Sequence, residues 1–199
     1  MGKLIADQSV SLDGFSAGPN LAMGNGLGDG GEQLHDWMFS GGASTGRDGV
    51  AIEDPQALLA GAGAVVVGRR MFDFGEEPWG DPPPFHNNPV FVVTHRPHAP
   101  IPMQGGTSYT FVTDGLEAAI ARARDAAGDR KVVVLGGAEI IRECISGGLL
   151  DELRLHVVHI VLGGGTALLA GLDPSRVSLE RIGLIDADGV THMTFRLAR

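Results

Sequence analysis

At 199 residues, with 43% hydrophobic and 20% charged residues, the chain has the composition of one globular domain rather than of a disordered or fibrous polymer. Its formal net charge of -9 argues against a general nucleic-acid or anionic-membrane surface, and its single cysteine, Cys144, excludes an intramolecular disulfide and a four-cysteine zinc site. No apolar run reaches the roughly 18 residues that would span a bilayer. Residues 1–10 lack the basic-then-apolar pattern of a secretory signal, so a cytoplasmic protein is expected.

The opening from Lys3 reads as a strand that ends in an Asp13-Gly14 turn. A glycine-rich stretch follows, with one amphipathic piece over residues 32–39. Asp54 before Pro55 predicts an N-cap and a short helix through Ala60. Residues 64–67 (Ala-Val-Val-Val) and 90–93 (Val-Phe-Val-Val) are wholly apolar, as in central strands covered on both faces. Residues 109–112 form a third short strand. Asp114 and Glu117 predict a capping box for a helix with Leu116, Ala119, Ile120 and Ala123 on its apolar side. Residues 131–135 are the next buried strand, and Gly136-Gly137 lead into a helix over about 138–145. Residues 153–162 read as one long strand, with further strands over 177–185 and 190–197. The pattern predicts β/α alternation with right-handed crossovers and a β-rich C-terminal hairpin, in a single domain over residues 1–199.

In a parallel sheet all carboxyl ends lie on one edge, so the segments after three of these strands should face a common crevice. Gly136-Gly137 let backbone N–H groups at a helix N-terminus approach a diphosphate. Arg69 and Arg70 offer guanidinium forks, while Thr94 with His95 or Arg96 offers a hydroxyl and another positive group. A pyrophosphate plus one extra phosphate, as in NADPH, would use all of them. Each segment alone also reads as an ordinary turn, solvated helix start or loop; their order on successive strand ends carries the cofactor reading.

The ordered pieces Leu4-Ile5-Ala6, Val67-Gly68-Arg69, Val93-Thr94-His95-Arg96 and Leu135-Gly136-Gly137-Ala138 resemble the dihydrofolate reductase fold. Ser11-Leu12-Asp13-Gly14, residues 148–153 and the run to Gly163-Gly164-Gly165 resemble its RibD C-terminal branch, the pyrimidine reductases of riboflavin biosynthesis. The resemblance covers nearly the whole chain. It implies a three-layer α-β-α domain with a mixed, mostly parallel sheet and NADPH across the carboxyl edge. By position it implies that Gly68, Arg69, Arg70, Met71, Thr94, His95 and Arg96 bind the adenosine 2′-phosphate side. Leu135, Gly136, Gly137, Ala138, Glu139 and Ile140 would bind the diphosphate, and Ala6, Ala17 and Gly18 would border the nicotinamide. The chain departs from the pattern at Leu135, where the riboflavin-pathway reductases commonly have an acid, and no Ser/Arg phosphate-gripping segment is evident over residues 31–42.

Reduction by a cofactor hydride still needs a proton. Asp13, Asp36 and His156 are the candidates for supplying it or contacting substrate. Their plain alternatives are a turn residue, a solvated helix face and a hydrogen-bonded core histidine. The expected function is NADPH-dependent reduction of a 5-amino-6-(5-phosphoribosylamino)uracil-type pyrimidine. Dihydrofolate or another pterin is the alternative substrate, and an NADP-binding module without turnover the alternative class. A homodimer is expected from the resemblance and the hydrophobic C-terminal strands. Gly26 to Gly31 holds a G-x-G-x-x-G spacing without a preceding strand and reads as a loop; the G-x-S-x-G string around Ser44 follows a helical piece rather than a strand.

Overall fold

A computed structural model describes residues 2–39, 46–50 and 55–198. Asp54 and Ser44 therefore lie outside the described residues. Eleven strands and five helices are described, arranged around one nine-stranded sheet of order β10-β11-β8-β1-β7-β3-β4-β6-β5. In chain order these strands are β1 (Leu4–Ser11), β3 (Ala62–Gly68), β4 (Val90–Val93), β5 (Ile101–Pro102), β6 (Ser108–Val112), β7 (Lys131–Gly136), β8 (Glu152–Val158), β10 (Leu179–Ala187) and β11 (Val190–Leu197). The pairs β8/β1, β1/β7, β7/β3, β3/β4 and β4/β6 are parallel. The outer pairs β5/β6, β8/β11 and β10/β11 are antiparallel. Strands β2 (Phe15–Ala17) and β9 (Thr166–Ala167) form a separate small ladder.

The apolar strands are central because both of their faces are covered. Alternate residues of β3 show this: Ala64 and Val66 pack under α4 (Leu116–Ala127) and α5 (Ala138–Ser146), whereas Val65 and Val67 pack under α2 (Pro55–Ala60) and α3 (Arg69–Trp79). A third cluster joins Leu34 and Trp37, from a 3₁₀ turn and the short helix α1 (Asp36–Phe39), to Val158, Ala187 and Val190. The result is the three-layer, mostly parallel architecture with a C-terminal hairpin that the resemblance implies. No helix among the described residues is long and apolar enough to cross a membrane.

Two expectations need correction. The N-cap of α4 is Gly115, at φ 94, with no side-chain cap bond, so the capping box is not formed. Asp114 instead accepts a 2.5 Å bond from Arg122. The strand expected over residues 153–162 ends at Val158. Beyond it the backbone is claimed by the β1–β2 turn: Leu12 N–H donates to Ile160 O at 2.9 Å, and the Asp13 carboxylate accepts from the N–H groups of Leu162 and Gly163 at 3.1 and 2.8 Å.

Candidate active site

β7, β3 and β4 are adjacent and parallel, with Val67 opposite Gly136 and Gly68 opposite Val93. Their carboxyl ends open on one rim, where the three predicted segments, residues 68–71, 94–96 and 136–140, come together. Helices α3 and α5 start at this rim on opposite faces of the sheet. Their N-caps are Gly68 and Gly137, neither with a side-chain cap, so first-turn N–H groups remain for a ligand.

The glycines of the rim differ in what they accommodate. A Cβ on Gly68 would lie 3.0 Å from Ile140 Cγ1, and one on Gly136 would lie 2.9 Å from Gln8 Oε1 at a φ of 111. Those two let neighbouring chain segments approach. A Cβ on Gly137 would meet nothing within 4 Å. Gly137 therefore faces open space directly before a helix N-terminus, and the rim fits an anionic diphosphate there.

The cationic side of the rim is organised by a residue the sequence reasoning missed, Asp73. Its two oxygens accept 2.6 Å bonds from Arg69 Nε and Arg96 Nη2, tying the ends of β3 and β4 together. The Arg69 guanidinium also lies over the rings of Phe72 and Phe111, at 5.7 and 5.4 Å. Arg70 is exposed and makes no ion pair among the described residues. Thr94 is buried, and its hydroxyl accepts the Arg96 N–H at 3.0 Å, while His95 is exposed. Met71 and Leu135 are half-buried against the cluster under α3. Ala138 and Ile140 are buried, so they can offer a ligand only backbone, and Glu139 is exposed in the first turn of α5.

The substrate-side candidates fare unevenly. Ala6 is fully buried in the core cluster under α4 and α5, so its side chain presents no surface to a ligand. Ala17 pairs with Thr166, and a Cβ on Gly18 would lie 2.1 Å from Asp29 O; that glycine is accounted for by the folding of its own loop. Asp13 accepts from Ser11 Oγ at 2.5 Å as well as from Leu162 and Gly163, and these bonds, Ser11 foremost, hold its carboxyl below the usual carboxylate range. Those bonds favour its ionised form, which suits an anchor for the turn better than a proton donor. Asp36 is exposed, on the wall of a cavity of about 250 Å³ that Trp37, Val158, His159 and Asp188 also line.

His156 is drawn into a cluster. It lies between Asp7 on β1 and His192 on β11, with Nε2 3.1 Å from Asp7 Oδ1 and Nδ1 2.6 Å from His192 Nδ1. Trp37 covers both rings at 4.6 and 4.9 Å and donates from Nε1 to Ser9 Oγ at 3.2 Å. Ala6 pairs with Val134 of β7, so Asp7, the next residue of β1, stands beside Leu135. The acid lacking at Leu135 has a neighbour on the next strand. Alternating Asp7, Ser9 and Ser11 along β1 was the available signal for a polar face. No group of three or more His, Cys, Asp or Glu residues suited to a metal occurs among the described residues.

A family model described as the RibD C-terminal domain matches residues 2–190. The fold is similar to that of a putative riboflavin biosynthesis protein from Shewanella sp. PV-4, at 22% identity over 100% of both chains and a TM-score of 0.68. It is also similar to dihydrofolate reductase from Enterococcus faecalis complexed with NADP(H), at 16% identity over 100% of this chain and 98% of that one, TM-score 0.57. A third similar structure is the diaminohydroxyphosphoribosylaminopyrimidine deaminase/5-amino-6-(5-phosphoribosylamino)uracil reductase of Thermotoga maritima, at 15% identity and TM-score 0.61. Here 99% of this chain matches 57% of the longer protein. No curated protein matches the sequence significantly.

Proposed function

Because this chain belongs to the RibD C-terminal domain family, we propose that it is an NADPH-dependent reductase of a small heterocycle, a 5-amino-6-(5-phosphoribosylamino)uracil-type pyrimidine before a pterin. The observation that carries this reading is the common rim of β7, β3 and β4, with its two uncapped helix N-termini and the open space before Gly137.

In this reading the backbone N–H groups at the start of α5 hold the diphosphate, and Arg69, Arg70 and Arg96 hold the 2′-phosphate. Asp73 keeps Arg69 and Arg96 side by side, so their forks are oriented before a ligand arrives. Bound NADPH would supply the hydride; the chain supplies orientation and a dry sheet surface. The polar face of β1 beside Leu135 is where a heterocycle with ring N–H and carbonyl groups finds partners.

The test combines binding with turnover. Arg69→Ala together with Arg70→Ala should weaken NADPH by on the order of 3 kcal/mol, roughly a hundredfold in Kd, and NADH far less. Equal losses for both cofactors would remove the 2′-phosphate assignment. Loss of absorbance at 340 nm with a panel of aminopyrimidines and pterins then reports reduction. Tight NADPH binding without oxidation by any of them would favour a binding module.

A further inference from the structure

Asp7, His156 and His192 stand on three neighbouring strands, β1, β8 and β11, on the face covered by Trp37. The register places Ser9 of β1 and His192 of β11 opposite His156, so the two rings are side by side and Asp7 is one step along the same face. All three residues are less than 8% exposed. Nothing in the cofactor rim needs them, and a buried carboxylate with two imidazoles is a costly core where apolar side chains would pack.

The geometry restricts where protons sit. Two ring nitrogens 2.6 Å apart hold one proton between them, since two lone pairs or two N–H groups would repel. His156 therefore either receives that proton at Nδ1 and donates from Nε2 to Asp7, or carries the reverse arrangement. At its β11 end the chain stops on an unpartnered ring nitrogen. His192 Nε2 is buried with no hydrogen-bond partner among the described residues, and Asp7 takes its contact with His156 at Oδ1. His35, of the adjoining 3₁₀ turn, brings a second buried ring nitrogen without a partner, Nδ1. Arg154, in register with Asp7, is the charged group next along β8.

We propose that Asp7, His156 and His192 form a buried proton relay that delivers, from the β11 side, the proton consumed when the heterocycle is reduced. The inference rests on the reductase reading. In reducing a C=N bond, bound NADPH would supply the hydride to the carbon and be left as NADP⁺, while the nitrogen takes a proton that passes through the Asp7 carboxylate. That proton comes from His156 Nε2, the His192 Nδ1 proton moves to His156 Nδ1, and His192 Nε2 takes one proton from a water admitted on the β11 side, so Asp7 ends as the carboxylate it began as. Each ring ends as its other neutral tautomer, and the chain keeps its charge. His156 and His192 act through Asp7 and are positioning residues.

The test uses the whole chain with ¹⁵N-labelled histidine, saturated with NADPH. Ring-nitrogen spectra should show one N–H shared by His156 and His192, and Asp7→Leu, which removes the acceptor facing His156 Nε2, should shift the ring-nitrogen signals of both rings together. An unchanged His192, which Asp7 does not touch, would overturn the relay. With a pterin or aminopyrimidine that oxidises NADPH, Asp7→Asn and His192→Gln should each lower kcat about a hundredfold while leaving NADPH affinity intact. Unchanged kcat, or rate and affinity lost together, would overturn it as well. If the wild type binds NADPH but reduces none of the panel, the reductase reading fails first and takes the relay's role with it.

Discussion

Burial decides the charge of His192. Desolvation foremost, helped by the neighbouring His156 ring and opposed by Asp7, pushes its pKa down to about 4 from an ordinary 6.5. His35 shifts in the same direction, chiefly through its own burial. Above pH 6.5 both folded and unfolded His192 are neutral and the full stability is present. As pH falls from 6.5 towards 4 the unfolded chain takes a proton that the folded one refuses, so stability is lost across that window. The loss from His192 alone should reach up to about 3 kcal/mol near pH 4. Urea unfolding at pH 7.5, 6 and 4.5 measures it, with His192→Gln as reference to remove the contribution of carboxylates. Parallel pH curves for the two proteins would show that His192 is not held neutral. The same scale shows why the site was only half legible. Arg69, Gly136 and Gly137 announce themselves by type and position on strand ends. Asp7, His156 and His192 are separated by 149 and 36 positions and meet only through register, which no local pattern encodes.

Strand and helix existence was legible wherever an element is apolar enough to be buried on both sides, as at Val65, Val66 and Val67 or Val132, Val133 and Val134. Ends were less so, because distant groups compete for the backbone. Apolar character continues past Val158 to Leu162, yet the bonds there go to the Asp13 turn, about 150 residues away in sequence. Helix α5 is the element on which the cofactor reading leans. At Gly137 the backbone is extended, with φ -72, a conformation valine also adopts, and its missing side chain leaves open space rather than filling a packing need. Gly137→Val should therefore keep the thermal midpoint near that of the wild type while abolishing measurable NADPH binding, because the isopropyl group would stand where the diphosphate meets the α5 N–H groups. Retained affinity in a folded variant would remove the diphosphate from α5. Gly68→Val provides contrast: its Cβ would press on Ile140 at 3.0 Å, so loss of binding there would be confounded by repacking.

At the scale of the whole molecule, the sheet ends in β10, nine residues long and paired, among the described strands, with β11 alone. Such an edge is a template for pairing unless it is covered or blunted. Near its end it is blunted, for Arg47 N–H bonds Asp186 O and the Arg47 side chain pairs with Asp188. Along the rest, Leu179, Ile182 and Leu184 are 38–48% exposed. Leu184 is opposite Met193 in β11, while half-buried Phe195, two residues on, packs against the core under α5, so Leu184 carries that apolar face out to the exposed edge. We propose that a second copy of the chain covers this edge strip about a twofold axis, since one self-complementary patch then serves both protomers. Light scattering at micromolar concentration should give twice the chain mass. Ile182→Lys with Leu184→Lys should give a monomer with unchanged circular dichroism, because charges on an exposed strip disturb an interface but not the core beneath. A monomeric wild type would leave the strip without its partner. Relay and rim both lie within one chain, so the monomeric variant should still bind NADPH with wild-type affinity.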